Sequence, residues 1–256
     1  MIRYIVNLDR SRDRWERMQA LFRKMELDVV RLPAVDGRKM DSETLKNLRP
    51  KLSERHFWLK EMTPGEIGCY LSHLKAWKAL LDTEEEWALV MEDDLFVRDN
   101  VKEFICDESW IPEGVDLIQM TAGKYPGEEL REKTVKETVG KNARLLKVLQ
   151  WDNMGTVAYL INRKGAKTMV ALSEKILGPV DDLLFLYASP ARKTMDAWGL
   201  SPAVFYFDED LESDIGLEKK NNKTPKFSNL LGYLERKIIM MKHKARCSSE
   251  GIRDHR

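Results

Sequence analysis

Trp87-Ala-Leu-Val-Met-Glu92-Asp93-Asp94-Leu-Phe-Val97 is the stretch whose reading decides the fold. An apolar run ends there in three adjacent carboxylates and then turns apolar again. Apolar runs of this length between polar residues form buried strands. In an open α/β sheet the carboxyl ends of such strands surround the crevice where ligands bind. Three like charges packed together repel, so a cation is expected to neutralise them. Hard oxygen ligands suit magnesium or manganese, either of which can hold a diphosphate. The alternative is an acidic turn facing solvent. Strand alternation sends Glu92 and Asp94 to one side and Asp93 to the other, which makes Glu92 and Asp94 the expected pair.

Working outward from this stretch, a strand–helix–strand unit opens the chain. Tyr4-Ile-Val-Asn7-Leu8 reads as a buried strand, and Trp15, Met18, Leu21, Phe22 and Met25 then recur at helical spacing. Val29-Val30-Arg31-Leu32 is a second strand, and Pro33-Ala-Val-Asp36-Gly37 is a turn. Such a unit favours a parallel sheet wound right-handedly. Residues 39–62 are mixed and charged, consistent with a short helix and a loop. Thr63-Pro64-Gly65-Glu66 is a helix start, with Thr63 as cap, Pro64 in the first helical position and Glu66 reaching back. That helix is expected to run to about Leu81, with Ile67, Leu71, Leu74, Trp77 and Leu81 on its buried side.

Further strands are expected over 115–120, 145–149, 156–161 and 203–207, and a helix from Arg163 to about Leu172. Residues 123–142 read as a polar excursion with a hairpin. Acids stand at the ends of many of these strands: Asp9, Asp36, Glu92 to Asp94, Asp152, Asp181, Asp182, Asp208 and Glu209. Strand ends on one face would bring them to a common pocket. His73, alone on its helix, reads first as a packing residue and second as a ligand or base. Cys69 has no base partner in the sequence and reads as a small apolar group rather than a nucleophile.

Composition narrows the classes. The chain has 256 residues, a formal net charge of +1 and 33% charged residues, ordinary for a globular α/β protein and without a global argument for nucleic-acid binding. Three widely spaced cysteines form no disulfide framework and no zinc pattern. No apolar run approaches the roughly 20 residues of a membrane span, and the N-terminus is too soon polar for a signal peptide, so the expected setting is cytoplasmic. Neither a G-x-x-x-x-G-K-[ST] nor a G-x-G-x-x-G element is present. Beyond about Leu217 lysine clusters lead into an amphipathic basic stretch, Tyr233 to Arg246. It either lies on the anionic cytoplasmic face of a membrane or docks as a terminal helix. The expected division is one α/β domain over 1–216 and a basic, partly helical tail over 217–256.

Six motifs in order carry a resemblance: Asn7-Leu8-Asp9-Arg10 with Asp13-Arg14; Ala34-Val35-Asp36-Gly37; Thr63-Pro-Gly-Glu-Ile-Gly-Cys-Tyr-Leu-Ser-His73; Met91-Glu-Asp-Asp94; Gly155-Thr-Val-Ala-Tyr-Leu-Ile161 with Lys164-Gly-Ala166; and Pro179-Val-Asp181. Together they resemble glycosyltransferase family 25, the bacterial lipooligosaccharide galactosyltransferases and their collagen-modifying relatives. The resemblance implies a GT-A type, Rossmann-like mixed sheet flanked by helices, a UDP-sugar donor, Mn2+ or Mg2+, and transfer with inversion. The acceptor it implies is an oligosaccharide on a lipid-linked glycan, with a hexose, galactose first, as the sugar moved.

Carried over residue by residue, Glu92 and Asp94 match the acidic metal and nucleotide motif, with Asp93 between them. Asn7, Asp9 and Asp36 would line the uridine end. Glu66 and His73 would hold the helix against the donor site or touch the sugar, and Thr156 would flank it. Asp181 is the first candidate for general base and Asp182 the second, each with a helix N-cap as the alternative. Family members often carry a glutamine where this chain reads Phe207-Asp208-Glu209. Rival classes are a sugar-phosphate nucleotidyltransferase, whose usual glycine-rich loop after the first strand is missing, and a nucleotide-sugar-binding protein.

Overall fold

The computed structural model describes residues 1–50, 61–121, 136–139, 143–147, 155–185 and 189–208. Their centre is a mixed sheet in the order β2-β1-β3-β8-β5-β9-β7-β6. Its strands are β1 (Ile2–Asn7), β2 (Val30–Pro33), β3 (Trp87–Glu92), β5 (Leu117–Gln119), β6 (Lys136–Val139), β7 (Ala143–Lys147), β8 (Ala158–Asn162) and β9 (Ala197–Ser201). β1 runs parallel to β2 and β3, β8 enters antiparallel between β3 and β5, and β9 runs parallel to β5. The carboxyl ends of β1, β2, β3, β5 and β9 therefore lie along one edge, together with the start of β8. A two-stranded ribbon, β4 (Leu95–Val97) with β10 (Phe205–Phe207), continues directly from the acidic tip of β3.

Strand alternation sorts the core into two layers. Tyr4, Val6, Ala88, Val90, Tyr159 and Ile161 face α3 (Pro64–Leu81), α5 (Arg163–Leu172) and α6 (Val180–Phe185). Ile5, Leu89, Met91, Ala158 and Leu160 face the other way, onto Met18 and Phe22 of α1 (Arg12–Lys24) and Phe104 and Ile105 of α4 (Lys102–Ile105). Period-two burial on both faces identifies a sheet covered on both sides. This is the helix-flanked mixed α/β sheet that the family resemblance implies; β1 and β2 are parallel as their pattern predicts, while β8 departs from a wholly parallel sheet. No helix among the described residues is long and apolar enough to cross a membrane.

The helix start at Thr63 folds as its residues dictate. Glu66 N–H donates to Thr63 Oγ1 at 3.1 Å, and Thr63 N–H donates to Glu66 Oε2 at 2.8 Å, a reciprocal capping box with Pro64 at the first position. The buried side of α3 differs from the expected stripe. Ile67 and Trp77 are buried as expected, but Leu71, Leu74 and Leu81 are only partly buried, and Tyr70, Ser72, His73, Ala76 and Leu80 are covered. α3 is apolar around much of its circumference, so hydrophobicity alone does not fix which face turns inward. Packing does: Gly68 meets Gly37 so closely that a Cβ on Gly37 would stand 1.7 Å from the Pro64 carbonyl oxygen.

Other elements agree in part. A short helix, α2 (Ser42–Leu48), occupies part of the mixed segment, and a hairpin of β6 and β7 falls at the end of the polar excursion. β7 pairs with β9 rather than with the neighbouring segment β8. β4, α4 and β9 are elements the sequence reading did not single out. Asp152, Glu209 and the whole of 217–256, including the expected tail, lie outside the described residues.

Candidate active site

β3 carries its chain to Glu92 and stops, so the pleat alternation does not continue through Asp93 and Asp94. All three residues instead line one cleft, bounded by the loop after β2, the inner face of α3 and the residues following β1. Its empty volume, including space open to solvent, is about 680 Å³. Arg10, Arg14, Asp36, Arg38, Cys69 and His73 line it as well. The loop 34–37 is fastened to α3 by Val35 N–H donating to Ser72 Oγ at 2.8 Å, and Ser72 Oγ donates onward to the Gly68 carbonyl at 2.6 Å.

Each acid of the triplet has a different setting. Glu92 accepts a hydrogen bond from Thr156 Oγ1, and His73 Nε2 lies 3.5 Å from Glu92 Oε1. Burial works to raise its pKa, but the His73 and Thr156 contacts outweigh that and hold the carboxyl below its ordinary value. Asp93 Oδ2 accepts from Asn7 Nδ2 at 2.6 Å, and Asp93 Oδ1 faces Arg14 Nη1 at 3.3 Å. Burial nevertheless raises its pKa, the Asn7 and Arg14 contacts opposing.

Asp94 is buried at 6% exposure, and its Oδ1 has no hydrogen-bond donor. Burial first, then the charges of Glu92 and Asp93, push its pKa up to about 8. A buried carboxylate oxygen without a donor, beside two further acids, is a position that a hard divalent cation would satisfy. Glu92 and Asp94 therefore fit such an ion by donor chemistry.

The tip is braced from behind. Arg17 Nη2 donates to the carbonyls of Asp93 at 3.0 Å and Leu95 at 3.1 Å, and Arg17 Nη1 donates to Asp208 Oδ2 at 2.7 Å. Asp208 N–H closes the loop by donating to the Asp94 carbonyl at 2.8 Å. The acidic position after Phe207 thus grips an arginine that carries the triplet.

The remaining candidates are distributed around this centre. Asn7 is buried beneath the cleft, donating to Asp93 and accepting from Arg31 Nε at 2.8 Å. Asp9 is exposed at the rim and paired with Arg31 at 2.8 Å, which lowers its pKa. Asp36 lines the cleft, pairs with Arg10 and caps the short turn Gly37–Lys39. Glu66 is buried in the capping box. Thr156 is buried against Glu92. Asp181 sits in the first turn of α6, partly exposed, and its charge is felt at Cys69. Asp182 is buried on the same turn.

Two features lay beyond sequence reasoning. Cys69 Sγ, a His73 ring nitrogen and a Glu92 oxygen lie within 4.8 Å of one another. Arg10, Arg14 and Arg38 bring positive charge to the same cleft, although the sequence reading assigned them no role. The arginines flanking the start of α1, Arg10 in the turn before it and Arg14 in its first turn, are the available signal.

An α/β protein with acids and arginines gathered over one cleft at the carboxyl ends of parallel strands has the layout of a ligand-binding enzyme domain. The family model described as "Glycosyltransferase family 25 (LPS biosynthesis protein)" matches residues 1–184. The chain belongs to glycosyltransferase family 25.

Among curated relatives, a "Glycosyltransferase 25 family member" of Aedes aegypti is 30% identical over 223 residues, covering 79% of this chain and 35% of that protein. "Procollagen galactosyltransferase 2" of Homo sapiens is 30% identical over 188 residues, covering 71% and 29%. "Lipooligosaccharide biosynthesis protein lic2B" of Haemophilus influenzae is 22% identical over 192 residues, covering 72% and 69%. The chain thus spans about a third of the length of its insect and human relatives. A solved structure described as "Crystal structure of a glycosyltransferase involved in the glycosylation of the major capsid of PBCV-1" aligns with a TM-score of 0.43 at 11% identity, over 86% of this chain and 98% of that one.

Proposed function

We propose that this chain is a metal-dependent, inverting hexosyltransferase that moves galactose from UDP-galactose to an oligosaccharide acceptor of the lipooligosaccharide type. The observation that carries this reading is the donor-free, buried Oδ1 of Asp94 beside Glu92 at the tip of β3, inside a cleft that also holds three arginines. Family membership and the names of the human and Haemophilus relatives support the sugar and the acceptor class.

Glu92 and Asp94 would hold the cation, Mn2+ or Mg2+. That ion, when bound, supplies positive charge against a departing diphosphate. Arg10, Arg14 and Arg38 would engage the same phosphates, because guanidinium groups pair with phosphate oxygens in a planar fork. Asp36 and the loop behind it would receive the nucleoside end. Asn7 holds Asp93 in place, and Asp93 in turn fixes Arg14 at the cleft. Inversion by single displacement needs one base to take the proton of the acceptor hydroxyl opposite the leaving group. Asp181 is assigned that role: it is partly exposed and near enough for its charge to act on Cys69, which lines the cleft.

The test is UDP release from UDP-galactose with Mn2+, measured with and without a lipooligosaccharide core acceptor, for the wild-type chain and for Glu92→Gln and Asp94→Asn. Acceptor-stimulated UDP release that both variants lose supports the assignment. Full turnover in either variant removes that residue from the machinery. Formation of UTP and galactose 1-phosphate when pyrophosphate is supplied with UDP-galactose, without acceptor-stimulated UDP release, would point to nucleotidyl transfer instead.

A further inference from the structure

We infer that Cys69, His73 and Glu92 form a second cation site, a thiolate–imidazole–carboxylate set for a borderline-soft divalent ion such as Zn2+, which shares Glu92 with the hard-oxygen pair. Cys69 and His73 stand four apart on α3 and so lie on one face of the helix, one turn apart. β3 delivers Glu92 to that face, and one donor atom from each of the three lies within 4.8 Å of the others. Three protein ligands of this kind, open on the cleft side, match the coordination of exchangeable zinc rather than of magnesium or manganese.

A second observation points to a ligand at the same place. His73 is fully buried, and its Nε2 has no hydrogen-bond partner, although it is aimed at Glu92 from 3.5 Å. The other ring nitrogen is already engaged: Nδ1 lies 2.8 Å from the Tyr159 hydroxyl, which accepts from Trp77 Nε1 at 2.9 Å. A partner behind the ring fixes its orientation; in the tautomer whose Nδ1 donates to Tyr159, Nε2 presents a lone pair, which a bound ion would take in place of the contact with Glu92. Cys69 Sγ is 3.9 Å from Thr156 Oγ1, which also contacts Glu92, so sulfur and carboxylate flank one small space. Binding Zn2+ there replaces the thiol proton with an S–Zn bond and releases that proton to solvent, with no change of oxidation state.

A soft ion on Cys69 and His73 withdraws Glu92 from Asp94. Antagonism between Zn2+ and Mn2+ in transfer follows, and this consequence alone rests on the role proposed for Glu92 above. The site itself is tested without any sugar. Co2+ is titrated into Cys106→Ser/Cys247→Ser protein, in which Cys69 is the remaining thiol, and the thiolate-to-cobalt charge-transfer absorption in the near ultraviolet is recorded. A saturable band that disappears when Cys69→Ser is added, and that Zn2+ displaces, is the expected result. No band, or a band that survives Cys69→Ser, overturns the inference.

Should Cys69→Ser fail to fold, alkylation of Cys69 in the double variant decides. Zn2+ at about ten times its dissociation constant is expected to slow modification about tenfold. An unchanged rate overturns the site. A cobalt band without UDP release would leave the cation site standing while the transferase reading falls.

Discussion

Asp94→Asn is expected to make the metal-free protein more stable while removing its activity, and the gain is expected to depend on pH in a defined way. The carboxyl of Asp94 is raised from an ordinary 3.8 to about 8, with burial as the largest cause and the charges of Glu92 and Asp93 following. Between those two pH values the folded chain keeps a proton that the unfolded chain has released. Stability from this group is therefore fully present below pH 3.8 and is lost as pH rises to about 8. Each pH unit of that interval costs about 1.36 kcal/mol, so at pH 7 the penalty is on the order of 4 kcal/mol as an upper bound.

Asparagine matches the protonated acid in shape and cannot ionise, so it removes the penalty. An amide N–H left without an acceptor there would offset roughly 1–2 kcal/mol of the gain. A net stabilisation of about 2–3 kcal/mol at pH 7 remains, or several degrees in melting temperature for a domain of this size. Urea denaturation of metal-free wild type and variant between pH 4.5 and 8 measures it. The two curves should nearly coincide at the acid end and separate as pH rises. A separation that does not change with pH, or a variant less stable at pH 8 than wild type, would refute the assignment of a burial-raised carboxyl to Asp94.

Four further outcomes follow from the packing and the site. Gly37→Ala is expected to cost about 3 kcal/mol or more, because its Cβ meets the Pro64 carbonyl at 1.7 Å and backbone must shift; an unchanged denaturation midpoint would contradict the close approach of α3. Thr63→Ala should cost about 1 kcal/mol through loss of the capping box, read by the same titration. Trp77→Phe removes the N–H that Tyr159 accepts and leaves a void, so a loss of about 1–3 kcal/mol is expected in thermal melts. Asp181→Asn should lower the rate of sugar transfer by roughly 10²–10⁴ with UDP-sugar binding by calorimetry unchanged, whereas Asp182→Asn should register mainly as lost stability, since its side chain is buried. Equal kinetic effects of the two would remove the distinction drawn between them.

What the sequence made legible was local. The run from Trp87 to Glu92, the capping box at Thr63 and the helix opening after Asn162 each depend on neighbours within a few residues, and each folds as those neighbours dictate. Strand order is a different matter. Nothing between residues 92 and 158 says that β8 inserts antiparallel beside β3, yet that insertion sets Thr156 against Glu92. β9, Ala197-Trp-Gly-Leu-Ser201, escaped notice because a short strand with a central glycine shows neither alternation nor a sustained apolar run.

The most instructive mismatch is α3. A reading by hydrophobicity chooses Ile67, Leu71, Leu74, Trp77 and Leu81 for its inner face; the fold buries Ile67 and Trp77 but only partly covers the three leucines, and turns Gly68, Ser72 and His73 inward. Buried polar groups are costly unless they are paired, and here they are paired: Ser72 with the loop after β2, His73 with Tyr159. An apolar stripe in their place would seal the helix to the sheet equally well and leave no cleft chemistry. The polar side chains that a search for an apolar stripe passes over are therefore the ones that fasten α3 to the loop after β2 and bring His73 to Glu92. On this helix, departure from the amphipathic pattern is the sequence signature of the site.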